Sequence, residues 1–318
     1  MFRNQPNLED FNQPKSLRWY EGGQQSFNEP LYAHFMKEDI GSFIMPIAKS
    51  YSSRQESFDA RFNGSEFEGE RLRTLVSQLP EHHDSDESDF ICDVVNSVGQ
   101  SLSDQGFALF ERLYKKSTTG SQDCLLHAIY PGRVFRVPGG YIQVPPRNAL
   151  PEINQRRWVY LPNADVWRVE MPQELGGCAG YRQILSAVAH VGNGMPDFFS
   201  PGAIESEQLS SFDFSVRQQA IKKYLAALTK SFGYGFRETD SEFMTECYFV
   251  YRHLTFAWAK AVIRNHIIDE INLLASKIGI SARIDVIGLL SPSEIIDVRH
   301  RAISGKMPLV AALEAVRV

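Results

Sequence analysis

The chain has 318 residues, 43% apolar and 22% charged, with a net charge of −5. This is the make-up of a folded soluble protein, and the mild acidity excludes a basic protein that coats nucleic acid. No window approaches the 18 or more uninterrupted apolar residues of a membrane-crossing helix. Four scattered cysteines without a C-x-x-C pair point to neither a zinc site nor a disulfide framework.

The first residues, MFRNQPNLEDFNQPKSLRWY, lack the basic start and apolar middle of a signal peptide, so a cytosolic origin is expected. Residues 1–35 are rich in Asn, Gln, Pro and Glu and read as an extended arm. LYAHFMKEDIGSFIMPIAKSY has helix-compatible spacing broken at Gly41 and Pro46, and GSEFEGERLRTLVSQLP reads as a helix ending at Pro80. After the acidic loop EHHDSDESD, Asp89 is placed to cap a helix from Phe90, with Ile91, Val94, Val95, Val98 and Leu102 on one stripe.

Short β-branched and aromatic segments follow: GFALFERLY, LLHAIYPGRVFRV, GYIQVPP, RRWVYL and DVWRVEMP. Gly and Pro separate them, and VPGGY is a hairpin signal. ELGGCAGYRQILSAVAHVG is a glycine loop leading into a helix. Beyond residue 200 the pattern is helical, first from about Phe214 to Phe232, stopped by Gly233 and Gly235. Thr239 and Glu242 have capping-box spacing for a long helix over about 240–277, with Gly279 as its stop. Such a helix spans roughly 57 Å. ARIDVIGLL then reads as a strand, SPSEIIDVRHRAISG as a capped helix, and MPLVAALEAV as a short final helix.

The long helix carries two apolar stripes, one through Val250, Leu254, Ala257, Ala261, Ile268 and Ile271, the other through Phe249, Phe256, Ile263, Ile267 and Leu274, with Arg264 the exception. Two stripes demand neighbours on two sides. A domain of this size rarely covers both alone, so other subunits are expected there, and Phe249, Leu254, Phe256, Trp258, Ile263 and Ile267 are the candidate interface residues. A central helix within one compact domain is the alternative. The expected class is α+β: a mixed α/β wing-like region over 36–200 with mostly antiparallel strands, a helical stem-like region over 201–279, and a strand and helices over 280–318.

Sites of chemistry are sparse. No G-x-x-x-x-G-K-[ST] occurs, so a P-loop ATPase is not expected. Cys178 sits among small residues in GGCAG, but a thiol nucleophile needs a base, and His190 lies twelve residues on, roughly 18 Å along a helix. His82, His83 and Asp84 read as a solvated loop rather than a metal site, and no metal or cofactor is expected. Arg217, Lys222, Lys223 and Lys230 form a basic cluster around a helix, either a solvated face or a DNA-facing one.

In order and texture, residues 85–318 resemble the portal proteins of tailed bacteriophages. The resemblance rests on a helix entering a G-x-A-x-x-E strand (GFALFERLY), the turn and strand YPGRVF, and the strands and glycine loop of RRWVYLPNADVWRVEMPQELGGCAGYRQIL. It continues through LTKSFGYGF, the long helix, and IDVIGLLSPSEIIDVRHRAISGKMP. The chain is shorter than most portals, with little between Phe199 and Phe232 for a projecting clip and no long crown. The resemblance implies a homo-oligomeric ring, usually of twelve subunits, at one capsid vertex of the virion. It would be made in the host cytoplasm and would let double-stranded DNA pass during packaging and ejection. The implied partners are a terminase motor, the major capsid protein and a head–tail adaptor, and no active site is implied. A cysteine-dependent hydrolase and a bacterial oligomeric scaffold or defence component are the alternatives.

Overall fold

The structure is a computed structural model that describes residues 8–17, 30–46, 58–79, 86–116, 123–130, 133–145, 157–193, 214–235 and 245–316. Its elements run α1 (Leu31–Gly41), β1 (Asp59–Asn63), α2 (Glu66–Val76), α3 (Glu87–Gln105), β2 (Phe107–Tyr114), β3 (Cys124–Ala128), β4 (Val134–Val137), β5 (Gly140–Gln143), β6 (Val159–Pro162), β7 (Val166–Glu170) and α4 (Gly177–Asn193). The remainder is helical apart from one strand: α5 (Phe214–Leu228), α6 (Glu246–Lys277), β8 (Arg283–Ile287), α7 (Pro292–Ile303) and α8 (Leu309–Ala315). The class is α+β, and every strand pairing among the described residues is antiparallel.

Helix α3 shows how local signals build the centre. Asp86, one turn earlier than expected, accepts a hydrogen bond from the Asp89 amide and caps the helix. Ile91, Val94, Val95, Val98 and Leu102 are all buried on one face, as their spacing predicts. Gly106 ends the helix in the left-handed conformation (φ 77°), and a Cβ there would lie 3.1 Å from the Tyr181 ring and 3.2 Å from the Cys178 carbonyl. Tyr181 is itself buried and donates its hydroxyl to Ser103 O at 2.6 Å. The sharp exit from α3 into β2 therefore requires glycine twice, for its φ and for the close approach of α4.

The central sheet has the order β3–β2–β7 and a second sheet the order β4–β5–β6. Alternation sends Ala108 and Phe110 of β2 into the large core shared with α3, α4 and α6, while Phe107 and Leu109 face the other way. There they meet Tyr141, Val159 and Leu161 of the second sheet. The layers are therefore helices, central sheet, outer sheet. LLHAIYPGRVFRV supplies two strands, one to each sheet, with the chain changing sheets between Ala128 and Val134.

The N-terminal segment is not a free arm over its described part. Phe11 and Leu17 are buried, Phe11 bridges to Lys115, and Glu111 of β2 accepts the amides of Lys15 (3.1 Å) and Ser16 (2.9 Å) and the Ser16 hydroxyl (2.6 Å). A buried carboxylate with that many donors is a satisfied one. The three expected regions are also joined: β1 pairs with β8, Asp59 facing Ile287 and Asn63 facing Arg283, and one hydrophobic cluster runs from Ala33 to Ile284.

Helix α6 is 32 residues long, about 48 Å at 1.5 Å per residue. Thr245 caps it through the Tyr248 amide, and Gly279 (φ 78°) follows its end. The capping box expected at Thr239 and Glu242 lies outside the described residues. Most of the two stripes of α6 is covered by the chain itself, with Phe249 left exposed. Val250, Leu254 and Ala261 pack on α7 and α8 through Ile295, Ala302 and Ala312. Ile263, Ile267, Ile271 and Leu274 belong to the core beneath α3. The expectation that copies of the chain fill both flanks is therefore corrected at Leu254, Ile263 and Ile267, which are enclosed within one chain and offer no surface to another.

Candidate functional site

Helix α6 is apolar along most of its length, so its buried cations stand out. Arg252, Lys260 and Arg264 fall with Phe256 on successive steps of four residues. Each such step advances about 40° around the helix, so Arg264 has turned about 120° from Arg252. It reaches away to donate to Leu290 O at 2.6 Å. Burial lowers its pKa to about 10. Arg252 and Lys260 instead line a cavity of about 400 Å³ between α6, the end of α1 and the segment after α5.

Each wall has a local cause. Helix α1 carries Glu38 and Asp39 in its last turn and stops at Ser42, whose carbonyl accepts Lys260 Nζ at 2.8 Å. Phe43 then takes a left-handed conformation (φ 54°), costly for an aromatic residue, and stands exposed beside the cavity. On the opposite wall a short 3₁₀ turn, Lys230–Phe232, ends at Gly233 (φ 66°). A side chain at Gly233 would collide with the Arg252 carbonyl. Glycine here lets KSFGYG lie directly on α6 and brings Tyr234 over it. The Tyr234 hydroxyl donates to Asp39 Oδ2 at 2.6 Å, and its ring lies 5.8 Å from that of Phe256.

The electrostatics follow from burial. Lys260 Nζ lies 4.7 Å from the Phe256 ring centroid, and its pKa is pushed down to about 8 by desolvation, which Asp39 partly opposes. Arg252 is 8% exposed. Desolvation lowers its pKa, against a smaller opposing effect of Tyr248, whose ring centroid lies 6.0 Å from the guanidinium carbon. Its Nη2 is buried without a hydrogen-bond partner among the described residues. An orphaned buried guanidinium nitrogen is uncommon, because the unmade bond costs about as much as the group's desolvation.

The residues picked out from sequence do not converge here. Phe249 stands 43% exposed at the cavity, and Phe256 forms part of its lining. Trp258 is half-buried between the main core and the α7–α8 cluster. Of the basic cluster, Lys223 and Lys230 are exposed and Lys222 is half-buried, while the Arg217 side chain lies outside the described residues. Cys178 is half-buried, and desolvation raises its pKa, the opposite of an activated thiol. His190 is exposed and its Nδ1 lies 2.7 Å from Ser186 O one turn back, so it does not serve Cys178 as a base. His82, His83 and Asp84 lie outside the described residues.

Arg252, Lys260, Asp39 and Tyr234 were not singled out by sequence. The available signal was the charge interrupting an apolar helix, which was read only at Arg264. The chain matches no family model and no curated protein.

Proposed function

We propose that the chain is a structural subunit of portal type, assembling head to tail with identical copies into a ring at a capsid vertex through which DNA passes. The observation that carries this reading is the exposure of large aromatic side chains on the outer face of the β4–β5–β6 sheet. Phe135 pairs with Ile142 and Ile142 with Tyr160, so the three form one cross-strand row facing away from the central sheet. Trp158, two residues before Tyr160, has the same parity. Phe135, Trp158 and Tyr160 are 58%, 61% and 41% exposed. A row of large aromatics on one sheet face is the surface a partner covers.

A ring needs a second, different surface, because its contacts are heterologous. Ile303 at the end of α7 and Val310 in α8 are exposed and supply a candidate. The succession α3, Gly106, β2, outer sheet, β7, α4 supports the same reading through the resemblance. Terminase motor, capsid protein and head–tail adaptor would then be the partners. The ordinary composition and mild acidity suit a conduit, since each fixed lysine–phosphate contact would slow sliding.

The test is assembly. Mass photometry and negative-stain imaging of the purified chain at micromolar concentration are expected to show closed rings. The double variant Trp158→Ser/Tyr160→Ser is expected to run as a folded monomer. A wild-type chain that stays monomeric while fully folded overturns the proposal.

A further inference from the structure

The cavity beside α6 has a composition that the ring reading does not use. On one side stand two cations, Arg252 with an unpartnered Nη2 and Lys260 held by a backbone carbonyl. Between them, one turn from each, is the ring of Phe256. Phe43 and Phe249, both largely exposed, also line the cavity. Glu38 and Asp39 close the α1 side, with Asp39 engaged by the Tyr234 hydroxyl, and His253 stacks on Phe249 at 6.4 Å.

We propose that this cavity is a binding site for a single carboxylate carried on an aromatic body, the oxyanion meeting the Arg252 guanidinium and Lys260 Nζ and the ring lying among Phe43, Phe249 and Phe256. Three observations select that chemistry. The guanidinium of Arg252 lines the cavity with no carboxylate partner among the described residues, and a guanidinium edge matches a carboxylate in plane. Two carboxylates on the facing wall repel a second negative charge, which disfavours polyphosphates and dicarboxylates. A volume of about 400 Å³ with apolar walls and a few convergent polar groups is that of a small-ligand site. Two sources carry this chemistry, a free aromatic acid and the C-terminal aromatic residue of a peptide.

The experiment is a calorimetric titration of the full chain with four probes: 3-phenylpropionate, N-acetyl-Gly-Phe with a free C-terminus, the same peptide as its C-terminal amide, and inorganic phosphate. One or both free carboxylates are expected to bind at sub-millimolar concentration, with the amide and phosphate at least about tenfold weaker. Preference for the peptide acid over phenylpropionate identifies a chain terminus as the source, and the reverse identifies a free acid. Arg252→Met is expected to abolish binding while the chain stays folded, since replacing a buried cation that has no carboxylate partner among the described residues by an apolar residue of similar length removes a desolvation cost. Phe249→Ala, at a half-exposed residue, is expected to weaken binding severalfold with no effect on folding. Binding of phosphate in preference to either carboxylate overturns the proposal, as does equal binding by wild type and Arg252→Met, or no binding of either acid at millimolar concentration. Ring assembly is scored separately on the same samples, so failure of one reading leaves the other standing.

Discussion

Helix α6 and the β4–β5–β6 sheet differ in how their apolar surface is used. The helix is the more apolar element, yet the chain covers most of it: α7 and α8 take its N-terminal half, and the core under α3 takes its C-terminal half. Its large apolar residues left in view are Tyr248, Phe249 and Leu273. The sheet is short, and Phe135 and Tyr160 on its outer face stay exposed, as does Trp158 beside them. Apolar content therefore says that an element is covered, whereas residual exposure says where another molecule is still needed. Substitutions that separate the two regions test this contrast directly.

The largest effect is expected at the joint that orients both. Gly106→Val puts a β-branched residue at φ 77° and drives its side chain against Tyr181 and the Cys178 carbonyl. Backbone strain and overpacking each cost about 1–3 kcal/mol, so a loss of roughly 3–5 kcal/mol is expected. Urea denaturation checks it, and unchanged stability would remove α3–β2–α4 packing from the account.

Next comes the contrast itself. Leu254→Ala is expected to cost about 2–5 kcal/mol in the monomer, because a fully buried side chain leaves a cavity among α6, α7 and α8. Trp158→Ser is expected to change monomer stability by no more than about 0.5 kcal/mol while weakening assembly. If Leu254→Ala instead left stability intact and broke rings, the helix rather than the sheet would be the contact surface.

How far these features were legible from residues alone depends on range. The stripe on α3, the stop at Gly106 and the capped start of α7 rest on neighbours within a few positions, and the fold reproduces them. The start of α3 moved by one turn because Asp86 and Asp89 are both competent caps, and only the geometry chooses between them. Pairing of β1 with β8 joins residues more than two hundred positions apart, and neither strand has a pattern that names its partner. The two stripes of α6 were visible in the sequence, but a period reports only that a face is buried. That α7 and α8 do the covering depends on where the chain turns back after Gly279. The cavity was least legible, because its cations are isolated charges on α6 that meet Asp39 and Tyr234 only through the close contact at Gly233.

A smaller effect than loss of the Leu254 side chain is expected from the buried cation of that cavity. Lys260 has a pKa of about 8 in the folded chain against an ordinary 10.5. Below pH 8 it is protonated in both folded and unfolded chains and contributes no slope. Between about pH 8 and 10.5 the folded chain has released a proton that the unfolded chain keeps, so stability rises with pH through this window and levels off above it. Glu38, Asp39, Tyr234, Arg252 and His253 line the cavity around it, and because phenols ordinarily titrate near 10 the comparison stops at about pH 9.5. The gain between about pH 7.5 and 9.5 is roughly 1–2 kcal/mol at about 1.4 kcal/mol per unit. Lys260→Met removes it, and the difference between the two denaturation curves cancels titrations common to both chains. A variant whose stability climbed as steeply as wild type would show that Lys260 is not held charged in a dry site, and that the cavity wall is better hydrated than its lining implies.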